Sequence, residues 1–559
     1  MAVRPILRRP AAILAAGLVA FATGCGDREP DQQRIATAAD TTYDTFGGGP
    51  PGGTLVVLAD REPDQLNPLT FSSNAAYHPV HLMFRALGVR DSTLSSMAPD
   101  LAASWAMEDD STLVITLRES VRWHDGRPVT ADDVVFTIER QGDPQTASPR
   151  QADVAAVKSA RARDSLTVEI TMRRAGPYAV NAILEVMPVP RHLLESVAPQ
   201  DMRNSAFGRN PVGNGFYRFG TWTAGRNLTL HVNEQRPDRA SIDRIIMRFL
   251  PDMNSAITEL LAGQGDLIAK LPPEQRTRVD AAEHVVVYSG PRVRPAWIAW
   301  NTRRPPLDDA RVRRALLMAV NRDEIATALF GEVGEAAYSP IPTAMREHTP
   351  SVQPLQYDTT AARELLAQAG WTDTNGDGTV DRNGQPLRIE VDYISTDPTR
   401  RDVLVAMQSM LREVGVTLVP RAYESTAWVT RLREGEFTGS FWGWGWGPSV
   451  AGSNAEMIFH SRSVPPGGPN FAGSGSPRMD ALIDSALVEA DTTRARAVWS
   501  ELEQLMIDDA VYAPIYMDPE LFALHARFSN VRFRGIEWTE DLPYWYIEPA
   551  DRLPRDRAR

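Results

Sequence analysis

Along the chain, apolar positions recur in short bursts whose period changes from segment to segment. Leu55–Leu58 (LVVL) is continuously apolar and reads as a buried strand. Leu113–Leu117 alternates and reads as a second strand. In VRWHDGRPVTADDVVFTIER, residues 121–140, His124-Asp125-Gly126-Arg127 is a turn. Thr130 and Asp133 then stand three apart, a capping-box spacing that satisfies free N–H groups at a helix start. Val134, Val135 and Ile138 supply the apolar face of that helix. A second helix is predicted from Asp309, with Val312, Ala315, Leu316, Ala319 and Val320 at helical spacing. Asn321-Arg322-Asp323 interrupts it, and the apolar stretch Ile325–Phe330 stops at Gly331. Residues 387–422 read as strand, helix, strand. Ile389, Val391 and Tyr393 alternate, 399–414 is helical up to Gly415, and Val416–Val419 is the next strand. Such β-α-β units favour open sheets covered by helices on both faces. Residues 491–509 form another amphipathic helix, with Val498, Leu502, Leu505 and Met506 on one side, followed by the strand-like VYAPIYM. No internal repeat is visible.

The first 25 residues have a different pattern. Arg4, Arg8 and Arg9 precede the apolar run Ala11–Thr23, which is too short to span a bilayer and suits the core of an export signal. It ends in Ala22-Thr23-Gly24-Cys25, which resembles a bacterial lipobox. That resemblance implies cleavage before Cys25 and lipidation of its sulfur. Residues 26–52 are polar and run into GGGPPGG, a composition that disfavours helix and strand and suits a flexible tether.

Composition narrows the function. With 559 residues the chain is too long for one core. The net charge of −12 argues against nucleic acid, whose binding needs clustered cations. Cys25 is the sole cysteine, so an intramolecular disulfide and multi-cysteine metal sites are excluded. His78 and His81 read as neighbours on a helix or turn rather than as metal ligands. Among local enzyme signatures, the chain has no Gly-x-Ser-x-Gly elbow, His-Glu-x-x-His or P-loop, and catalysis is not expected.

Five segments, in order, resemble the family 5 bacterial extracellular solute-binding proteins of the oligopeptide- and dipeptide-binding type. They are ADREPDQLNPLTFSSN, MAPDLAASWAMEDDSTLVITLRESVRWHDGRPVTADDVVFTIER, NPVGNGFYRF, WNTRRPPLDDARVRRALLMAVNRDEIATALFGEVGEAAYSPIP and GWTDTNGDGTVDRNGQPLRIEV. The resemblance covers about residues 53–550. It implies an α/β fold, a two-lobed periplasmic binding protein (type II, clamshell) with an extra subdomain in lobe I. Lobe I is expected to comprise 53–293 and 513–559, with the subdomain at 76–175, and lobe II to comprise 294–512. It further implies a monomeric, extracytoplasmic protein, held at the membrane by its lipid anchor and lacking any cofactor. Its task would be to pass a small peptide-like solute to the permease subunits of an ABC-type importer. An oligosaccharide, an opine, a metal chelate, or ligand sensing without transport are the alternatives.

The ligand wall is expected in FTGSFWGWGWGPSVAGSNA, residues 437–455. Trp442, Trp444 and Trp446 alternate with glycines, so a strand places all three on one face, lining either a cleft or a core. In peptide-binding relatives this stretch resembles a Gly-Trp segment followed by an aspartate that pairs with the peptide's α-ammonium. Gly443-Trp444 matches, but no acidic residue lies between Glu436 and Glu456, and the aspartate position falls near Gly447 or Ser449. Either another carboxylate serves, or unmodified short peptides bind weakly and aromatic, N-blocked or sugar ligands bind better. Trp428 stands in a similar Trp-x-x-x-Leu context, Asn301 lies on the expected crossing strand, and Ser73 and Asn74 follow the opening strand. With Ser449 these complete the candidate contact residues. Asp373, Asn375, Asp377 and Asp381 have the spacing of a calcium loop, but its twelfth position is Gly384, which favours a hydrogen-bonded turn without metal.

Overall fold

The computed structural model describes residues 49–91, 96–446, 451–533 and 537–557. The expected export signal, Cys25 and Ser449 lie outside the described residues.

Two mixed sheets organise the chain. The first has seven strands in the order Val285–Ser289, Leu521–His525, Leu267–Ile268, Thr54–Ala59, Arg244–Phe249, Asn227–Val232 and Tyr217–Thr223. At its centre Thr54–Ala59 runs parallel to Arg244–Phe249, with Thr54 opposite Arg244. Leu55–Leu58 are buried on both faces, which is why the segment reads as a continuous apolar run. The second sheet has five strands in the order Thr417–Tyr423, Arg388–Ile394, Gly439–Gly443, Pro295–Trp300 and Tyr512–Met517. A four-stranded antiparallel sheet, Ala102–Met107, Thr112–Leu117, Thr167–Met172 and Val157–Ala162, packs into the same core cluster as the first sheet.

The local readings translate into elements with identifiable causes. Helix Ala131–Gly142 starts at Thr130, whose amide and hydroxyl both donate to the Asp133 carboxylate, at 2.9 and 3.1 Å. Helices Ala310–Met318 and Arg322–Phe330 are separate because the Asn321 side chain caps the second, accepting from the Glu324 amide. Arg388–Ile394, helix Pro398–Glu413 and Thr417–Tyr423 form the β-α-β unit, with Arg388 opposite Thr417 in parallel register. Gly415 follows that helix at φ +80°, and a Cβ there would come within 2.9 Å of Val380.

Two expectations shift. VYAPIYM forms Tyr512–Met517, an edge strand of the five-stranded sheet, so a boundary at 513 cuts through a strand; the chain changes sheet at 518–520. In helix Thr492–Asp509 the buried face is Trp499, Leu502, Glu503, Met506 and Ile507, while Val498 and Leu505 are half-buried. A glutamate occupies that face because loop groups satisfy it: Ser339 Oγ, His348 Nδ1 and the Thr349 amide lie 2.5, 2.7 and 2.8 Å from its oxygens. In the calcium-like turn the carboxylates are engaged by the chain itself. Asp373 accepts from the Gly376 and Gly378 amides, and Asp381 accepts from the Thr374 amide and hydroxyl.

Candidate functional site

The tryptophan stretch continues the strand Gly439–Gly443, and pairing to the neighbouring strand extends past its end. Trp444 N donates to Pro295 O at 3.2 Å and Trp446 N to Val293 O at 2.8 Å. Alternation sends Phe441 into the core beneath helix Pro398–Glu413, and Trp442, Trp444 and Trp446 to the opposite face. There an aromatic cluster takes them up. Trp428 stands edge-on to Trp442 at 5.9 Å and donates its indole N–H to Ser440 Oγ at 2.9 Å. Tyr512 packs edge-on to Trp442 at 6.1 Å.

Burial separates the candidates. Trp428, Trp442 and Trp446 are 9%, 8% and 2% exposed and belong to the packed cluster, because the helices of 451–509 cover that face. Trp444 alone of the three alternating rings is half-buried; it donates to Asn454 Oδ1 at 3.0 Å, and Asn454 holds Gly445 O at 2.9 Å. Asn301 does not face a cleft. It is 1% exposed, donates to Gly435 O and Phe437 O, and accepts from Arg303, so its amide ties loops together. Ser73 caps helix Asn74–Met83 and donates to Asp64 Oδ1 at 2.8 Å, while Asn74 is exposed. Burial raises the Asp64 carboxyl, but hydrogen bonds from Ser73 and Ser72 outweigh it and bring its pKa to about 2.

The opposite face of the same stretch carries charge that sequence reasoning missed. Gly443 and Gly445 present no side chains there, and Asp518 and Arg294 occupy the space. A Cβ on Gly443 would lie 3.1 Å from Asp518 Oδ2, and one on Gly445 would lie 3.6 Å from an Arg294 Nη. Both charged residues belong to the segments where the chain passes between sheets, and Asp518 N donates to Arg294 O at 2.9 Å. Burial pushes the Asp518 carboxyl up, against the opposing pull of Arg400, Arg294 and Lys270. Glu520 is likewise raised by burial, against Lys270 and Arg294. The usable sequence signal was charge inside the Pro-containing crossings, Arg292–Pro295 and Met517–Glu520.

A third contact joins the two cores. Tyr178, on helix Pro177–Leu184, packs in the aromatic cluster otherwise built from 293–512, while Ile183 and Leu184 of the same helix are in the core of the seven-stranded sheet. Its hydroxyl donates to Glu347 Oε1 at 2.8 Å, and Arg346 Nε donates to the same oxygen at 2.8 Å. Arg174 adds a hydrogen bond to Asp484 O at 3.0 Å.

Residues 96–465 match the sequence profile described as "Bacterial extracellular solute-binding proteins, family 5 Middle". The chain belongs to the family 5 bacterial extracellular solute-binding proteins. The oligopeptide-binding protein AppA of Bacillus subtilis is 23% identical over 501 residues, 89% of this chain and 92% of AppA. AppA in complex with a nonapeptide aligns with a TM-score of 0.73 at 24% identity, over 89% of this chain and 99% of that one. CtaP, an ABC transporter substrate-binding protein of Listeria monocytogenes, aligns with a TM-score of 0.79 at 25% identity, over 89% and 99% of the two chains. NikZ of Campylobacter jejuni in complex with Ni(L-His) aligns with a TM-score of 0.75 at 24% identity, over 89% and 100%. The family 5 fold is two-lobed, and here the chain passes between the two large sheets beside Arg294 and Asp518.

Proposed function

We propose that this family 5 protein captures a small peptide-like solute outside the cytoplasm and delivers it to an ABC-type importer, without catalysing a reaction on it. The observation that carries the peptide reading is family membership together with the kind of relatives it brings, AppA of Bacillus subtilis and OppA of Salmonella typhimurium, both oligopeptide-binding proteins. The stretch around Trp444 supports it, since a half-buried indole on one face and charged groups on the other suit a ligand with apolar side chains and charged ends. Lipidation at Cys25 and attachment at the membrane complete the reading and rest on the apolar run ending at the sole cysteine, while a monomeric state rests on the family resemblance alone. Isothermal titration calorimetry against pooled dipeptides and oligopeptides should give saturable binding. Failure of every peptide pool, with saturable binding of an oligosaccharide or a nickel–histidine complex, would replace this reading by one of the alternatives. Labelled palmitate should mark the wild type and not Cys25→Ser; equal labelling would remove the anchor.

A further inference from the structure

Glycine follows asparagine at three places in the chain, Asn214-Gly215, Asn375-Gly376 and Asn383-Gly384. At such a step the glycine, lacking a Cβ, lets its backbone nitrogen reach the carbonyl carbon of the asparagine side chain. Reaction there needs two things: the nitrogen must give up its proton, and the side chain must be free to turn. Asn214 meets neither need. It is 1% exposed, its Oδ1 accepts from the Arg85 amide at 2.8 Å, and the Gly215 amide donates to Met83 O at 2.8 Å. Asn375 is exposed but held. Its Oδ1 accepts from the Asp377 amide at 2.9 Å, and its Nδ2 donates to Asp377 Oδ2 at 3.0 Å. The Gly376 amide donates to Asp373 Oδ1 at 2.7 Å, and a carboxylate so placed opposes loss of the amide proton.

Asn383 is in the opposite situation. With Gly384 it forms the exposed tip of the hairpin Asp381–Arg382 and Gln385–Pro386, in which Arg382 pairs with Gln385. Both tip residues have positive φ, +55° and +71°, the conformation a two-residue hairpin turn requires. Among the described residues, the Asn383 side chain makes no hydrogen bond, and only the Asp381 carboxylate pulls on the Gly384 amide. It does so more weakly than on Thr374, whose hydroxyl and amide reach it at 2.6 and 3.0 Å. We propose that Asn383 is a site of spontaneous covalent modification, with water as the co-reactant. The Gly384 nitrogen bonds to the side-chain carbonyl carbon of Asn383, the C–N bond of the side-chain amide breaks, and ammonia leaves with the proton that Gly384 gives up. The resulting five-membered imide takes up one water and opens at either carbonyl. One opening leaves aspartate at 383; the other carries the backbone through the side chain as an isoaspartyl linkage. That linkage adds one carbon to the two-residue turn, and the pairing of Arg382 with Gln385, whose register the turn sets, is lost.

The test ages the full chain at mildly alkaline pH, folded and in urea. Its peptides are then mapped by mass spectrometry, with fragmentation that separates aspartate from isoaspartate. Folded protein should convert Asn383 at least about tenfold faster than Asn375 or Asn214. In urea the three steps should react at comparable rates, because the hydrogen bonds that protect two of them are gone. Asp373→Ala frees the Gly376 amide and should raise the folded-state rate at Asn375 toward that of Asn383. Equal rates at Asn383 and Asn375 in folded protein, or an Asn383 that stays intact when folded but reacts in urea, overturn the assignment. An unchanged Asn375 rate in Asp373→Ala overturns the protection by the amide hydrogen bond on which it rests.

Discussion

Removing one oxygen atom at Tyr178 should loosen the grip of one lobe on the other. The phenol donates to Glu347 Oε1 at 2.8 Å, and the glutamate is 1% exposed. Its second oxygen, Oε2, has no hydrogen-bond partner, so Arg346 is the only other described donor to the carboxylate. Burial, then the Glu347 charge, raises the Tyr178 pKa well above its usual value, so the hydroxyl keeps its proton and acts as donor. Tyr178→Phe preserves the ring, which stands edge-on to Trp499 at 6.0 Å, and deletes the hydroxyl's interactions with Glu347 and Arg346. A hydrogen bond to a charged partner contributes about 1.5–3 kcal/mol. A loss of about 2 kcal/mol lowers the ratio of latched to unlatched protein about 30-fold. On a clamshell mechanism, in which a ligand is enclosed only when the two cores are latched together, ligand affinity should fall by up to that factor. The sole native cysteine is Cys25, so Lys158→Cys and Arg478→Cys in a Cys25→Ser background can be labelled cleanly for single-molecule energy transfer. Both positions are exposed, and they lie in the four-stranded sheet and in helix Pro477–Val488. The Phe variant should show a larger long-distance population without ligand and need more ligand to suppress it. Identical distributions, with affinity within twofold of wild type, would refute the latch.

Other perturbations test the remaining elements. Asp266 is fully buried and accepts from the Val56 amide, from two nitrogens of Arg527 and from Arg555, so Asp266→Ala strands buried cations and should lower unfolding free energy in urea by about 3–5 kcal/mol; a loss below about 1 kcal/mol would mean the network is dispensable. Trp446→Ala should destabilise by about 3–5 kcal/mol as a core truncation. Trp444→Ala should instead weaken ligand binding by about 1–3 kcal/mol with a small change in melting, and the reverse pattern would place the ligand wall elsewhere. His81 and His124 are each brought to a pKa of about 4 by burial. The unfolded chain therefore binds more protons between pH 6.5 and about 4, and stability should rise with pH across that window and be lost on acidification. His124 Nδ1 accepts from the Gly213 amide at 3.2 Å, so His124→Gln should flatten the dependence measured by urea unfolding at pH 7.5 and 5; an unchanged slope would count against the neutral ring.

Where the pattern is local, the sequence by itself was enough. Thr130 with Asp133, Asn321, and Gly415 at φ +80° terminate helices through groups within a few residues of each other, so their chemistry is written in adjacent letters. The continuous run at 55–58 likewise gave a doubly buried strand, and the alternation at 389–393 gave the first strand of a β-α-β unit in the other large sheet, because side-chain period and burial are tied by backbone geometry. The alternation at Trp442, Trp444 and Trp446 correctly placed the three rings on one face. It held no information on what covers that face, and helices from 451–509 made it a core for two of them. Asn301 and Glu503 were beyond reach for the same reason: a polar side chain is buried wherever distant backbone and loop groups happen to satisfy it. Asp518 is the extreme case. Residues 294, 443 and 518 are far apart in sequence and meet only because the chain crosses twice between two sheets, and the charge environment of a carboxylate is a property of that meeting rather than of its neighbours in the chain.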